Sequence, residues 1–213
     1  MTTIDDFSRS LRNELGWRRK ELNNYNRWIR REAGSPQQQS SLRGAIAVLY
    51  AHWEGFIKHS SELYLAYLIE RRHDYIELRF NFVALGLRSQ LLSALQRGGV
   101  EALAKQIEFI HSGLRSRARF SFKNVVDTKS NLSVAVFKDI VSAIGLVYRD
   151  EFAVAEKPII ERLLELRNGI AHGEWRKVEL SEFSEIYVKI DELLAMFAAD
   201  LENAALNRSY LRT

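Results

Sequence analysis

Apolar residues recur every three or four positions along most of this 213-residue chain, the spacing of helices that bury one face. The first run opens at Thr3, whose side chain suits a helix N-cap and which is followed by acidic residues. It stops near Gly34 and Pro36, which break helices. The apolar positions in between are Ile4, Phe7, Leu11, Leu15, Leu22, Tyr25 and Ile29. The pattern predicts a long first helix.

The second run forms the clearest stripe in the chain. Its members are Leu42, Ile46, Leu49, Trp53, Phe56, Ser60, Leu63 and Tyr67. The density of aromatic residues in this stripe favours core packing over a cofactor site. We therefore expect the two predicted helices to pack against each other as an antiparallel pair.

The last third of the chain predicts further helices. Ser130 or Asn131 is expected to cap a helix that runs through Ile144 and is closed by Gly145. Ser181 is expected to open a final helix. The buried stripe of that final helix is Phe183, Ile186, Ile190, Leu193, Phe197 and Leu201.

Between these two helices, Pro158 is well placed as the first residue of another. Ile159, Leu163 and Leu166 give this segment an apolar face, and Asn168-Gly169 is a helix stop signal. Helices dominate the regular elements predicted along the chain. We therefore expect an all-α fold, a bundle of long antiparallel helices forming a single domain over residues 1–213.

The middle of the chain, about residues 71–130, is harder to assign. Its apolar runs are shorter and Gly98-Gly99 interrupts them, so we expect an irregular excursion from the bundle. This stretch holds eleven Lys or Arg against five Asp or Glu, whereas the remainder holds twenty against twenty-two. The basic excess indicates either a surface for a polyanion or an ordinary solvated face.

The composition excludes several classes of protein. The chain contains no cysteine, so a thiolate nucleophile, a disulfide framework and a cysteine-ligated zinc site are all excluded. The first ten residues have neither a basic nor an apolar signal region, and no eighteen apolar residues run uninterrupted. We therefore expect a cytoplasmic protein with no membrane partner.

Within the basic stretch, the sequence RSRARFSFK alternates basic and small residues before two phenylalanines. Its period of two predicts a loop or a short β element. Arg115, Arg117, Arg119 and Lys123 are candidate contacts to RNA phosphates, with the phenylalanines available to stack on bases. The alternative is an edge element whose phenylalanines face the core.

The sequence ELRNGIAHGEW places an arginine and a histidine five residues apart. On an unbroken helix Arg167 and His172 would point about 140° apart. If the helix ends at Asn168-Gly169, both side chains could instead face one groove. We therefore expect the chain to leave the helix directly after Arg167.

This pair suits phosphate chemistry. Arginine stays protonated and presents a planar fork to phosphate oxygens, and histidine exchanges protons near neutral pH. In RNA the 2′-OH beside the scissile phosphate is a built-in nucleophile, so the pair suffices for cleavage without a metal. The competing interpretation is coincidence, since the helix dipole alone favours arginine near a helix C-terminus.

The run Arg-Asn-Gly-Ile-Ala-His resembles the Arg-x4-6-His signature of the HEPN superfamily (higher eukaryotes and prokaryotes nucleotide-binding). Two further blocks, LYAHWEGFIKHSSELYLAYL and NVVDTKSNLSVAVFKDIVSAIGL, resemble the branch found beside prokaryotic defence genes. The resemblance covers the chain from about Leu42 to the final helix.

The resemblance implies a HEPN-like helical bundle that acts as a homodimeric, metal-independent endoribonuclease, a toxin or an antiphage effector. Arg167 and His172 would be the catalytic pair and Asn168 their polar companion. RNA would be the substrate, an antitoxin or defence protein a partner, and no cofactor is expected. A twofold axis would bring two such pairs into one cleft.

One position departs from a known subset of the family, in which a tyrosine two residues after the histidine is modified by a partner enzyme. Here that position is Glu174, which could orient His172 or form a surface ion pair. Two other functions stay open: a non-catalytic HEPN module that binds nucleic acid, nucleotide or protein, and a purely structural helical dimer.

Overall fold

The computed structural model describes residues 3–97, 99–119 and 131–212. Regular structure in these ranges is helical, apart from two isolated β-bridges. The α-helices are α1 (Ile4–Arg31), α2 (Gln38–Glu70), α3 (Phe80–Arg97), α4 (Val100–Ser112), α5 (Val134–Ala143), α6 (Asp150–Ala155), α7 (Arg162–Ala171) and α8 (Leu180–Leu206). The expected all-α fold is confirmed. Among the described helices, none has the length and apolar composition that crossing a membrane requires.

Helices α1 and α2 form the antiparallel pair that the sequence predicts. Thr3 starts α1 with a capping box in which its side chain accepts from the Asp6 N–H and the Asp6 carboxylate accepts from the Thr3 N–H. Near this end the Phe7 ring stacks on Tyr67, with 5.2 Å between centroids. Further along, Arg18 meets His52. Early α1 therefore contacts late α2.

Helix α2 is the centre of the bundle, because it packs against α1, α7 and α8. Seven of the eight stripe positions of α2 are buried, Leu63 being half-buried, and every predicted stripe position of α8 is buried. Aromatic contacts join the layers: Phe137 of α5 lies edge-on to Trp53 at 5.1 Å and meets Phe197 at 5.9 Å. This burial supplies most of the stability of such a bundle.

The middle of the chain is more regular than the sequence pattern indicated. Most of the stretch about 71–130 that the structure describes lies in α3 and α4. The expected short β element has one counterpart, an isolated antiparallel bridge between Asp74 and Arg117. A second bridge joins Leu78 to Leu211. Lys123 and the two phenylalanines of RSRARFSFK lie outside the described residues.

The start of α5 differs from the prediction. Ser133 is the N-cap, and its hydroxyl accepts from the Val136 N–H at 3.3 Å. Asn131 is not the cap, because its side chain is bonded to Arg167 instead. Ser130 lies outside the described residues. The predicted end is confirmed: Gly145 follows α5 with φ of +75°, a conformation that glycine adopts without strain.

The prediction that Pro158 begins a helix is wrong. The helix begins at Asp150, and Pro158 lies within a π-helical turn, Glu156–Glu161, that joins α6 to α7. Proline inside an α-helix lacks the N–H and clashes with the carbonyl four residues earlier. The wider π turn accommodates the proline, so α6 and α7 continue as one rod.

The final helix starts two residues earlier than predicted, at Leu180, because Glu179 rather than Ser181 is the N-cap. Such a shift of a terminus by a residue or two is common, because helix ends fray and the first turn tolerates several residues. Glu179 makes no side-chain capping hydrogen bond.

Candidate functional site

The end of α7 corrects the expectation that the chain leaves the helix after Arg167. The helix continues to Ala171, His172 is the C-cap, and Gly173 adopts φ of +76°. The Glu174 N–H donates to the Gly169 carbonyl at 2.9 Å and the Gly173 N–H to that of Ile170 at 3.1 Å. This pair of bonds is a Schellman motif. The stop signal was therefore Gly173.

Gly169 has a different role from the one its sequence suggested. It is buried inside α7, and a Cβ there would lie 2.6 Å from Arg176 Nε and 3.2 Å from Glu174 Oε2. The chain after the Schellman motif folds back across the helix at this point. Glycine leaves room for these two side chains, and the helix tolerates it at a modest cost.

Arg167 is held by three separate parts of the fold. Its Nη1 donates to Asn131 Oδ1 at 2.7 Å and to Asn168 Oδ1 at 2.8 Å. Its Cζ lies 4.8 Å from the centroid of the Tyr50 ring of α2. The guanidinium therefore has a fixed orientation, set by α2, α7 and the segment that leads into α5.

The acceptors around Arg167 are neutral. Both bonded oxygens belong to amides, and among the described residues the guanidinium has no carboxylate partner. Arg167 is half-buried, so its charge is screened less than that of an exposed side chain. An uncompensated guanidinium of this kind is suited to binding an anion, above all a phosphate.

Tyr50 fixes the other side of the site. Its hydroxyl accepts from the Leu132 N–H at 2.6 Å, next to the asparagine that binds Arg167. Burial raises the pKa of Tyr50, and nearby Glu54, which also shares a hydrogen bond with the hydroxyl, raises it further. The phenol is therefore neutral and structural. The Tyr50 and Asn131 contacts were missed by the sequence reasoning because both are long-range.

His172 lies apart from Arg167 within one chain. It is exposed, and in the described part of the structure no hydrogen bond or ion pair holds its imidazole. Five residues of continuous helix place the two side chains about 140° apart. The structure therefore joins Arg167 to Asn168 but leaves His172 on another face of the same helix end.

Three side chains beyond the helix form the rim beside His172. Glu174 pairs with Arg176 at 2.7 Å, so it forms the surface ion pair that was one of its two predicted roles. Arg43 of α2 donates to the Glu174 carbonyl at 3.1 Å and lies 5.2 Å from the Trp175 ring centroid. Trp175 is 73% exposed. The rim thus offers an exposed aromatic surface three residues after the histidine in the chain.

The predicted RNA-binding arginines lie at the opposite end of α2. Arg115, Arg117 and Arg119 are exposed, and the Arg119 N–H donates to the Tyr75 hydroxyl at 3.0 Å, just beyond α2. Tyr50 lies twenty residues before the end of α2, or about 30 Å along its axis. Within a single chain, these arginines therefore lie far from Arg167.

The helical bundle and the Arg167–His172 helix end define a HEPN-type module. The model of the HEPN_MAE_28990 family matches residues 7–210, and the chain belongs to that family. Comparison with curated proteins and with solved structures gives no significant match.

Proposed function

We propose that this protein is a metal-independent endoribonuclease whose active site is completed across a homodimer, and that it acts as a toxin or antiphage effector. The observation that supports this most directly is the half-buried Arg167 guanidinium, which is oriented by neutral acceptors and has no carboxylate partner in the described part of the chain. Membership of a HEPN family, in a superfamily that includes ribonucleases, supports the same proposal.

In the proposed reaction, the ribose 2′-OH attacks the adjacent phosphorus and the 5′-oxygen leaves. His172 takes the proton from the hydroxyl or gives one to the leaving oxygen. Arg167 binds the phosphate oxygens and stabilises the negative charge of the phosphorane. Asn168 keeps Arg167 oriented through its side-chain oxygen. The products carry 2′,3′-cyclic phosphate and 5′-OH ends.

The dimer is proposed because one chain does not bring the two groups together. Arg167 and His172 point to different faces of the α7 end. A twofold axis beside this end would let the Arg167 of one protomer meet the His172 of its partner. The exposed Trp175, beside the half-buried Arg43, is an available surface for such a contact.

A second candidate is a non-catalytic HEPN module that binds nucleic acid, nucleotide or a protein partner. One observation favours it: His172 has no described group that orients its imidazole, whereas a general base is usually held by a second residue. Arg167 alone would then bind a phosphate without catalysing its transfer.

The decisive experiment is incubation of the purified protein with labelled RNA in excess EDTA, together with Arg167→Ala and His172→Ala. We expect both substitutions to lower cleavage by at least about 100-fold. Matched controls are Arg162→Ala on the same helix and His111→Ala on α4, which should cleave normally. Cleavage that survives both site substitutions would remove the assigned site, and 3′-OH ends would contradict the mechanism.

The composite site has its own test. Mixing the Arg167→Ala and His172→Ala proteins should restore part of the activity, since a mixed dimer contains one intact Arg–His combination across the axis. Unmixed variants and a gradient of protein concentration serve as controls. A mixture as inactive as its components would show that each protomer acts alone.

Growth arrest on expression of the wild type, but not of His172→Ala, tests the toxin role.

A further inference from the structure

A second site lies at the opposite end of α2 from Arg167. It is an open groove of about 1180 Å³ between the start of α3, the end of α5 and the segment after α8. Its cationic lining residues are Arg79, Lys138, Arg208 and Arg212. Of the described residues that line it, none carries a carboxylate. The groove therefore concentrates positive charge in a concave surface.

Most of this charge is not neutralised. Lys138 pairs with Glu156 at 2.7 Å, but Arg79, Arg208 and Arg212 have no carboxylate partner among the described residues. Arg79 and Arg208 are exposed, so solvent screens part of their mutual repulsion, but the three guanidinium groups leave the groove with an excess of positive charge. An anion bound between them would relieve that repulsion.

The protein uses only some of the donors of these arginines. Arg79 Nη1 donates to the Gly145 carbonyl at 2.8 Å, and Arg212 Nε donates to the Leu78 carbonyl at 2.6 Å. These bonds anchor the side chains to the backbone. Nη2 of Arg212 is buried and has no hydrogen-bond partner among the described residues, an arrangement that costs free energy.

An aromatic side chain stands at the same groove. Phe80, the first residue of α3, is 76% exposed, and Arg212 Cζ lies 4.2 Å from its ring centroid. The guanidinium covers one face of the ring and leaves the other for a planar group. Stacking on an exposed aromatic beside arginines is how proteins bind bases of single-stranded nucleic acid.

The groove and the arginines of RSRARFSFK lie at one end of the bundle. Residues 74–78 connect them, because Asp74 bridges to Arg117 and Leu78 bridges to Leu211. The two basic surfaces are therefore within a few residues of each other along one short segment. The connecting segment itself carries Asp74 and Glu77, so these are two neighbouring basic surfaces at one end of the bundle.

From this arrangement we infer that the groove binds a short single-stranded segment of RNA. Phosphates contact Arg79, Arg208 and Arg212, and one base stacks on Phe80. An acidic peptide would satisfy the arginines but leave the exposed ring without a role, so RNA fits the groove better. The choice of RNA rests on the proposed function. The groove then recruits substrate at a distance from the cleavage site.

The test measures fluorescence anisotropy of a labelled 2′-O-methyl RNA of about twelve nucleotides, which lacks the attacking hydroxyl and so is not cleaved. Phe80→Ala should weaken binding about tenfold without changing its salt dependence, and Phe80→Trp should restore it. Arg208→Asn should lower the slope of log affinity against log salt by about 0.7. Asparagine also tolerates the φ of +50° at position 208.

Two controls match these variants. Arg9→Asn removes an exposed arginine of α1, and Val154→Ala removes an exposed apolar side chain of α6; both should bind like the wild type. Wild-type affinity and salt slope in Phe80→Ala and Arg208→Asn would overturn the inference. So would equal binding of a labelled poly-glutamate peptide that responds to the same substitutions.

Failure of this inference is distinguishable from failure of the proposed function. If cleavage requires Arg167 and His172 but the groove variants bind RNA normally, the groove assignment is wrong and the ribonuclease proposal stands. If no RNA is cleaved but binding depends on Phe80 and Arg208, the groove is confirmed and the protein is a binding module.

Discussion

Two arginines in this bundle are packed against aromatic rings but have opposite surroundings. Arg18 Cζ lies 4.4 Å from the Trp17 ring, and Arg167 Cζ lies 4.8 Å from that of Tyr50. Arg18 is bonded to the Glu14 carboxylate at 3.2 Å, whereas Arg167 is bonded to amide oxygens. Burial lowers the pKa of Arg18, against the opposing effect of Glu14.

The difference shows how one fold gives one arginine a structural role and leaves another able to bind an anion. The charge of Arg18 is used inside the α1–α2 interface, where Gly55 leaves room for it: a Cβ there would lie 3.2 Å from Nη1. The Arg167 guanidinium is also held in a fixed orientation, but it has no carboxylate partner among the described residues. Residue type and aromatic contact are the same, so the nature of the acceptors decides the role.

The largest expected effect comes from giving Arg167 the kind of partner that Arg18 has. Asn131→Asp would place a carboxylate 2.7 Å from Nη1 and neutralise the guanidinium. We expect RNA cleavage to fall about 100-fold with no loss of thermal stability, whereas Asn131→Ala, which only loosens the arginine, should cost about tenfold. Equal losses in the two variants, measured as kcat/KM, would show that charge is irrelevant at this position.

The second change removes the structural arginine, Arg18. Arg18→Ala removes the buried guanidinium that contacts Glu14 and His52 and opens a gap between α1 and α2, although His52 keeps its contact with Glu21. We expect a loss of about 2–3 kcal/mol in the free energy of unfolding, with cleavage per folded molecule unchanged. Urea denaturation measures the first quantity. The exposed Arg9→Ala is the control, and a loss of activity larger than the loss of folded protein would contradict the comparison.

A smaller effect is expected at the glycine beside Arg167. Gly169→Ala gains helix propensity but places a methyl group 2.6 Å from Arg176 Nε, so we expect a net loss of about 1–2 kcal/mol. Gly44→Ala in α2 meets nothing within 4 Å and should stabilise the protein by up to about 1 kcal/mol. If thermal denaturation shows that both variants are stabilised, the chain after α7 is not packed against the helix.

The smallest effect is a pH dependence from the α1–α2 side. Burial lowers the pKa of His52 below its ordinary 6.5, although Glu21 at 2.8 Å opposes this. The unfolded chain therefore binds a proton more readily, so stability is full above pH 6.5 and falls as the pH drops below it. His52→Gln should flatten unfolding curves measured between pH 7.5 and 5, and His111→Gln should not. If the pH dependence of stability is the same in His52→Gln as in the wild type, His52 is not the source of that dependence.

The sequence predicted the helices best where burial repeats at a regular spacing. The stripes of α2 and α8 were recognised because each apolar residue lies one turn from the next. The end of α7 was misplaced because Asn168-Gly169 and Gly173 both resemble stop signals, and only the packing of Arg176 against Gly169 distinguishes them. Pro158 was misplaced because local rules favour a helix start over a π turn.

Only part of the candidate site could be predicted from the sequence, for a similar reason. Arg167, Asn168 and His172 were recognisable from their short motif, and the family model agrees with the superfamily that this motif indicated. The neutral residues that hold Arg167 in place, Tyr50 and Asn131, could not be recognised, since they lie 117 and 36 positions from the arginine along the chain. The groove around Phe80 was equally hidden, because it assembles the ends of three helices.

The sequence by itself determined the all-α class, the antiparallel α1–α2 pair, the basic middle of the chain and the motif that carries the proposed chemistry. These follow from periodicity and composition, which act over a few residues. Only the tertiary structure decided which charges are neutralised: it gave Arg18 a carboxylate, left Arg167 with amides, and gathered Arg79, Arg208 and Arg212 around one groove. Electrostatic interactions depend on distance in space rather than on spacing along the chain.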